Sequence, residues 1–267
     1  MSAPPSEAPP DVDVARYLAR VGLDGTEPSL ADLHLAHVRS IPYENLDVVL
    51  GREIRLDVPA LAAKLVDAGR GGYCYEQNTL FAAVLEALGT GLTRCLGRVR
   101  LSDATSPRPA THMVLLVGGQ VVDVGFGAAT PLGPVPLGGE ATYGPWTWRT
   151  VPTTTPEGER GWRMSLFDLV LYTFTDEPRH AVDYIAPNHY SSTHPRSAFT
   201  GAPIVQRWEG DVQVELVGLD LTERRPDGTD VATVAPADLG GVLRGRFGLA
   251  LGDDEVARVL AAVPPPA

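Results

Sequence analysis

One cysteine of this sequence stands where a predicted helix begins. Residues 70–78 read Arg-Gly-Gly-Tyr-Cys-Tyr-Glu-Gln-Asn and follow a helical pattern that ends at Gly69. The new helix has one inward-facing stripe, formed by Cys74, Asn78, Phe81 and Leu85. The free N–H groups and the positive dipole end of a helix start favour a thiolate there. A lone cysteine is usually a small packing residue, but the helix start, the two glycines and the inward face together favour a reactive thiol at Cys74.

A thiolate nucleophile needs a general base, and the base needs a group that orients it. Two apolar runs flank Gly118–Gly119 and predict a β-hairpin over residues 111–124. If the glycines form the turn, residue 117 pairs with residue 120, and Asp123 falls on the same face as His112. A slip of one residue would put the two on opposite faces. The turn therefore predicts a His112–Asp123 pair.

The remaining titratable residues have simpler interpretations. His112 taken alone could be a surface residue at a strand end, whereas Asp123 needs a partner if it is buried among valines. Cys95 alternates with packing residues of a strand and is interpreted as packing. Glu76 is expected to cap the helix or to pair with Arg70. Five other histidines have no readable acidic partner and are assigned to surface or core: His34, His37, His180, His189 and His194.

The predicted secondary structure that must position these residues changes from helices to strands along the chain. Caps at Asp11, Ser29 and Asp57 predict three helices before the Cys74 helix, with an ordered bend over residues 41–46. Short alternating runs from residue 93 to 174 predict many strands and hence a barrel or sandwich. Residues 188–197 are predicted to be irregular, residues 203–222 to form strands, and a helix to run from Asp253 through Leu260.

Composition limits the classes of function. A net charge of −11 argues against general binding to nucleic acid or to an anionic membrane. Two cysteines provide no disulfide framework, and no Cys/His cluster indicates a metal site. The first ten residues have neither a basic region nor an apolar core and are interpreted as a loose tail, not a signal peptide. These features lead us to expect a cytoplasmic protein.

Several motifs together resemble the arylamine N-acetyltransferase family. They are residues 70–78, Ile41-Pro-Tyr-Glu-Asn-Leu46, Thr111-His-Met113, Asp123-Val-Gly-Phe-Gly127, Ser192-Thr-His-Pro-Arg-Ser-Ala-Phe199 and Arg246-Phe-Gly-Leu249. The resemblance spans nearly the whole chain. It implies an α+β fold with an N-terminal helical bundle (1–90), a central β-barrel (91–195) and a C-terminal α/β lid (196–267). It also implies a cysteine-protease-like triad of Cys74 as nucleophile, His112 as base and Asp123 as its orienter.

The family resemblance further implies an acyltransferase that works by double displacement. Acetyl-CoA would be a cosubstrate, with no tightly bound cofactor, and the acceptor would be an aromatic amine or hydrazine. Thr111 and Gly127 resemble positions that approach the coenzyme, and Tyr43, Tyr73 and Phe126 are candidates to line the acceptor pocket. The CoA phosphates would need basic residues such as Arg94, Arg98, Arg100 or Arg196. The sequence departs from the family pattern at Tyr43, usually Phe, and at Ala128, usually Gly.

Three alternatives remain open at the level of the sequence. The family also contains amide synthases that keep the triad but act on a polyketide chain bound to a carrier protein. A cysteine peptidase or a transglutaminase-like enzyme would show the same Cys…His…Asp order. A binding module with a relic triad would carry a thiol no more reactive than a free cysteine.

Overall fold

The computed structural model describes residues 12–25, 27–101, 105–127 and 129–265. The α-helices are α1 (Val14–Val21), α2 (Leu30–Ser40), α3 (Leu46–Val49), α4 (Val58–Leu61), α5 (Cys74–Ala87), α6 (Ile185–Thr193), α7 (Leu239–Gly241) and α8 (Asp253–Ala261). The strands are β1 (Tyr43–Glu44), β2 (Thr93–Val99), β3 (His112–Val117), β4 (Gln120–Val122), β5 (Val135–Pro136), β6 (Glu140–Tyr143), β7 (Trp146–Thr154), β8 (Arg160–Leu166), β9 (Leu169–Phe174), β10 (Ile204–Glu209), β11 (Val212–Val217), β12 (Asp220–Arg225) and β13 (Gly228–Thr233). Within these ranges no helix is long and apolar enough to cross a lipid bilayer.

The first helices begin at side-chain caps, as the sequence predicts. The predicted tail, Asp11 and Ala128 lie outside the described residues. The prediction of Asp11 as the first cap was wrong, because α1 begins at Val14 and is capped by Asp13, whose side chain accepts from the N–H of Arg16 at 3.0 Å. Ser29 and Asp32 form a capping box at α2. Asp57 caps α4 as predicted, and this helix continues as a π-helix over Ala62–Asp67. The start of α5 at Cys74 is confirmed.

The predicted bend at residues 41–46 contains a strand that the sequence analysis missed. Tyr43 and Glu44 form β1, which pairs with Gln206 and Val205 of β10. The N–H of Glu44 also donates to the carbonyl of Gly72 at 3.1 Å. Two residues are too few to give a strand pattern, and the partner strand lies about 160 residues away, so only the folded chain creates this strand.

Strands β2 to β9 form one antiparallel sheet that closes almost completely on itself. Their order is β5-β4-β3-β2-β9-β8-β7-β6, so the two end strands are close in sequence. Thr150 of β7 joins the ends: its N–H donates to the carbonyl of Gly139 at 2.8 Å, and its hydroxyl donates to the carbonyl of Pro136 at 2.6 Å. The last of the short strands predicted up to residue 174 are β8 and β9, which pair with each other across a turn. The architecture is therefore α+β with a nearly closed eight-stranded barrel.

The β3–β4 hairpin has the predicted register. Val117 pairs with Gln120, Leu116 with Val121 and Leu115 with Val122. The turn glycines have φ values of 55° and 78°, which a two-residue turn of this kind requires and L side chains rarely adopt. Every residue of β3 is buried, so the strand runs through the core between α5 and the rest of the barrel.

The C-terminal third forms a second sheet. Its order is β1-β10-β11-β12-β13, so the chain's first strand lies at one edge and its last at the other. The irregular stretch predicted at residues 188–197 was wrong in part, because helix α6 extends through Thr193. The hydroxyls of Ser192 and Thr193 donate to carbonyls one turn earlier, at 2.9 and 2.6 Å, so these polar side chains find partners within the helix.

Candidate active site

Cys74 is the first residue of α5, and its side chain lies inside the protein. The residue is 3% exposed, and its Sγ atom lies 3.7 Å from the carbonyl oxygen of Thr111. Two glycines let the chain pack closely against the start of α5. A Cβ atom on Gly125 would lie 2.9 Å from Cα of Cys74, and one on Gly72 would lie 2.8 Å from a carboxylate oxygen of Glu76. A larger residue at either position would displace the first turn of α5.

The His112 ring joins the thiol to a buried carboxylate. Its Nε2 atom lies 2.7 Å from Oδ2 of Asp123, and the side chain of Cys74 acts on the same ring. Burial alone would lower the pKa of His112, but the Asp123 carboxylate and the Cys74 side chain outweigh it and raise this pKa to about 10. Burial raises the pKa of Asp123, and the His112 charge and hydrogen bonds from Asn78 and Gly125 lower it by more. The arrangement favours a protonated His112 ring that a carboxylate orients, as a cysteine nucleophile requires of its partner.

Asn78 connects the helix of the thiol to both strands of the hairpin, a role that the sequence analysis did not assign. Its Nδ2 donates to the carbonyl of Met113 at 2.9 Å and to Oδ1 of Asp123 at 3.0 Å. Its Oδ1 accepts from the N–H of Val124 at 3.1 Å. The signal was present: an amide four residues after Cys74 on an otherwise apolar stripe needs buried partners.

Glu76 faces away from the thiol and belongs to a buried network of charges. It accepts from the N–H of Tyr73 at 3.1 Å, which confirms capping, one of its two predicted roles. Its ion pair is with Lys64 at 2.6 Å and not with Arg70, the other predicted role. Arg70 pairs instead with Glu44 at 2.8 Å and with Asp47 at 3.3 Å. Burial raises the pKa of Glu76 to about 7 even though Lys64 opposes the shift.

The three predicted pocket residues occupy different positions. Phe126 is half-buried, with its ring centroid 5.0 Å from that of His112, and it lines a cavity of about 470 Å³. Tyr73 is fully buried, packs against Phe199 with centroids 5.4 Å apart, and donates its hydroxyl hydrogen to Asn188. Tyr43 is 9% exposed and also packs near Phe199, with centroids 6.3 Å apart.

The two residues expected near the coenzyme flank the His112–Asp123 pair. Thr111 presents its carbonyl to Cys74, while its own N–H donates to Gly97 at 3.0 Å. Gly127 has a φ of 89°, and a Cβ atom there would overlap the side chain of Gln206, which lines the cavity next to Phe126.

Most of the basic residues considered for phosphate binding already have carboxylate partners. Arg94 pairs with Glu86 at 2.6 Å, and the buried Arg100 pairs with Glu157 at 2.6 Å. Arg98 lies 3.8 Å from Glu157, and Arg196 is exposed. The cavity beside Phe126 has basic residues of its own. These are Arg224, which pairs with Glu215, and Arg225, which pairs with Glu223 and Asp230.

The residues interpreted as packing are packed. Cys95 is fully buried, and burial is the main cause that raises its pKa to about 12. His34 and His37 are core residues whose pKa values burial lowers, to about 4 and about 3. The Nδ1 atom of His37 lies 2.8 Å from the hydroxyl of Tyr17, and its Nε2 atom lies 2.8 Å from the amide oxygen of Gln77.

Comparison with known proteins gives a consistent result over most of the chain. A family profile described as N-acetyltransferase matches residues 28–256. An arylamine N-acetyltransferase from Mycolicibacterium smegmatis is 41% identical over 267 residues, which cover 91% of this chain and 94% of that protein. The solved arylamine N-acetyltransferase from Mycobacterium abscessus superposes with a TM-score of 0.87 at 36% identity, covering 95% of both chains. The Mycobacterium marinum arylamine N-acetyltransferase in complex with CoA superposes with a TM-score of 0.85 at 33% identity, covering 94% of this chain and 98% of that one.

Proposed function

The chain belongs to the arylamine N-acetyltransferase family, and on this basis we propose that it transfers an acetyl group from acetyl-CoA to an arylamine or arylhydrazine. The observation that carries the proposal for its site is the His112 ring, which contacts the Cys74 thiol and lies 2.7 Å from Asp123. Cys74 is the nucleophile, His112 the general acid and base, and Asp123 the group that orients the ring.

The reaction has two half-steps that share these residues. The Cys74 thiolate attacks the thioester carbonyl of acetyl-CoA, and the His112 imidazolium gives its proton to the departing CoA sulfur. The amine then attacks the acetyl-cysteine carbonyl and gives a proton to His112, and Cys74 leaves as the thiolate. The pair returns to its starting charges, so no further acid or base is required.

The start of α5 supplies donors for the negative charge that develops on the carbonyl oxygen. In the described part of the chain, no side chain caps the N–H groups of this helix's first turn. Glu76 instead accepts from the N–H of Tyr73, which precedes the helix. The first-turn N–H groups therefore remain available near the sulfur, where an oxyanion would form.

The cavity next to Phe126 is the best-supported place for both substrates. Its aromatic and apolar wall, formed by Phe126, Trp146 and Phe167, suits an aryl ring. Arg224 and Arg225 at its edge are better placed for CoA phosphates than Arg94 and Arg100, which pair with carboxylates away from this cavity. Acetyl-CoA acts in this scheme as a cosubstrate, approaching along Thr111 and Gly127.

Each of the three predicted domains has its own role in this reaction. Residues 1–90 carry the nucleophile, residues 91–195 carry His112 and Asp123, and residues 196–267 form the lid. Support for a lid comes from Gln206, Gln213 and Glu215 of the second sheet, which line the cavity opposite residues of the barrel.

Intact-mass spectrometry after exposure to acetyl-CoA tests the proposal. The protein should gain one acetyl group before any amine is added, because the mechanism is double displacement. Cys74→Ser should gain none, and Cys95→Ala, which alters the other cysteine, should gain one. An adduct on Cys95, or loading only by a carrier-bound acyl chain, would contradict the assignment. In the second case the amide synthase alternative would replace it.

A further inference from the structure

Tyr43 is attached to the segment that leads into the nucleophile. Residue 43 forms an isolated bridge with Gly72, two positions before Cys74, and the N–H of Glu44 donates to the carbonyl of Gly72 at 3.1 Å. The amide of Gln77 donates to the carbonyls of Pro42 and Gly72, at 3.1 and 3.0 Å. The position of Tyr43 relative to the start of α5 is therefore set by backbone groups on both sides.

The ring of Tyr43 stands between two residues of the site. It packs near Phe199, and one of its ring carbons would lie 3.5 Å from a Cβ atom on Gly127. The Tyr43 hydroxyl has no hydrogen-bond partner among the residues that the structure describes, and the residue as a whole is 9% exposed. Tyr73, by contrast, uses its hydroxyl to bind Asn188. The Tyr43 hydroxyl is thus a donor without a described protein partner, on a residue joined to the segment before Cys74.

This hydroxyl stays protonated under all conditions in which the enzyme would work. Burial raises its pKa well above the usual value, and the negative charges of Cys74 and Asp123 raise it further. Among the charged groups that act on Tyr43, Cys74 has the largest effect. A neutral O–H can donate a hydrogen bond but cannot act as a base.

We propose that the Tyr43 hydroxyl donates a hydrogen bond to the carbonyl oxygen of the acetyl group in both half-reactions. This inference rests on the proposed function. The acetyl carbon is bonded to Cys74 in the intermediate, so its oxygen is the atom that gains negative charge nearest to the sulfur. Tyr43 would then add a side-chain donor to the N–H groups of the α5 start.

The proton of Tyr43 is shared but not transferred. When the thiolate attacks, the electron pair of the C=O bond moves to the oxygen, and the Tyr43 O–H stabilises that charge. When the oxyanion collapses, the C=O bond re-forms and the bond to the CoA sulfur breaks, with the proton of His112 going to that sulfur. The second half-reaction repeats this sequence with the amine as nucleophile and the bond to Cys74 as the one that breaks.

Tyr43→Phe tests the proposal because it removes only the hydroxyl. Rapid-quench intact mass spectrometry would measure the formation of acetyl-Cys74 and its discharge by two arylamines of similar size, one with a polar ring substituent and one without. We expect both steps to slow about 10- to 100-fold, less than loss of a whole oxyanion site, because the helix N–H groups remain. Alkylation of Cys74 by iodoacetamide passes through no carbonyl oxyanion and should change by less than about twofold.

Tyr143→Phe is the matched control, because it removes a phenol hydroxyl that donates to Pro134 outside the site. Unchanged acetylation in Tyr43→Phe would overturn the proposal. So would equal slowing of alkylation, which would place the hydrogen bond on the thiolate, and so would slowing with only one acceptor, which would make Tyr43 a specificity residue. Failure of the unsubstituted protein to load acetyl on Cys74 would instead refute the proposed function.

Discussion

Replacing Asp123 by Asn should remove most activity while leaving the fold in place. The two oxygens of Asp123 have distinct partners: Oδ2 faces Nε2 of His112, and Oδ1 accepts from the Asn78 amide and from the N–H of Gly125, each at 3.0 Å. An amide can accept hydrogen bonds only at its oxygen. The two donors on the Oδ1 side will hold that oxygen, so the new NH₂ group will point at His112.

The magnitude follows from what His112 loses. A ring that faces an NH₂ donor must accept at Nε2, so its proton moves to Nδ1. In this tautomer Nδ1 already carries a proton and cannot take another from a substrate. Asp123 is also the main partner that raises the His112 pKa from 6.5 to about 10 against burial. Without it this pKa falls to 6.5 or below, and at pH 7.5 at most about a tenth of the rings stay protonated. With the tautomer effect added, we expect acetylation to slow about 10³-fold, near the roughly 10⁴-fold known for this change in serine-protease triads.

The assay is single-turnover acetylation of Cys74, followed by intact mass, together with thermal unfolding. Asp24→Asn is the control, since Asp24 lies exposed in the turn after α1, is not among the residues that line the cavity beside Phe126, and makes the same chemical change. Asp123→Asn should unfold within a few degrees of the control. Acetylation within about threefold of the unsubstituted protein would show that the carboxylate does not set the state of His112, and the argument would fail.

Three further predictions use other parts of the site. Inserting one glycine between Gly118 and Gly119 should slow acetylation nearly as much as Asp123→Asn. Inserting two should slow it less, because only an odd shift moves Asp123 to the opposite face from His112. Equal acetylation rates for both insertions would contradict the register argument. Asn78→Ala should lower the free energy of unfolding, measured in urea titrations, by about 2–4 kcal/mol, because it leaves buried backbone groups without partners. A loss below about 1 kcal/mol would mean that water replaces the amide as their hydrogen-bond partner. The acetylation rate should stay constant from about pH 7 to 9 and fall only as the pH rises through about 10, because the raised pKa of His112 keeps its ring protonated until then. A decline already at about pH 7 would contradict the raised pKa.

The parts of the site that the sequence predicts are those governed by local geometry. The Gly118–Gly119 turn determines which face each residue of a short hairpin occupies, so the His112–Asp123 contact follows from the sequence alone. The start of α5 is readable for the same reason, because Gly69 ends one helical pattern and the stripe from Cys74 begins the next. Both signals act within about a dozen residues of chain, where sterics and periodicity dominate.

The parts that the sequence could not predict depend on distant partners. Tyr43 and Glu44 become a strand only because β10 lies beside them. Helix α6 contains Pro187 and several Ser and Thr residues, and Asn188 within it is held by Tyr73 and by the carbonyl of Ile54. Both features join segments more than 100 residues apart, and local propensity carries no information about such contacts.

Side chains on two opposite faces of α5 fix the position of the Cys74 thiol. Successive residues of an α-helix are turned by about 100°, so Asn78 lies close to the direction of Cys74, and Glu76 lies nearly opposite. Asn78 accordingly bonds Met113 of β3 and the residues Asp123 and Val124 that follow β4, while Glu76 bonds Lys64 in the helical part of the chain. A shift of the helix toward either side would break buried hydrogen bonds or ion pairs on the other, and each broken partner would remain away from water. The distance between sulfur and imidazole is therefore set by residues of the helix itself, two and four positions from the nucleophile, and not by the loops around the site.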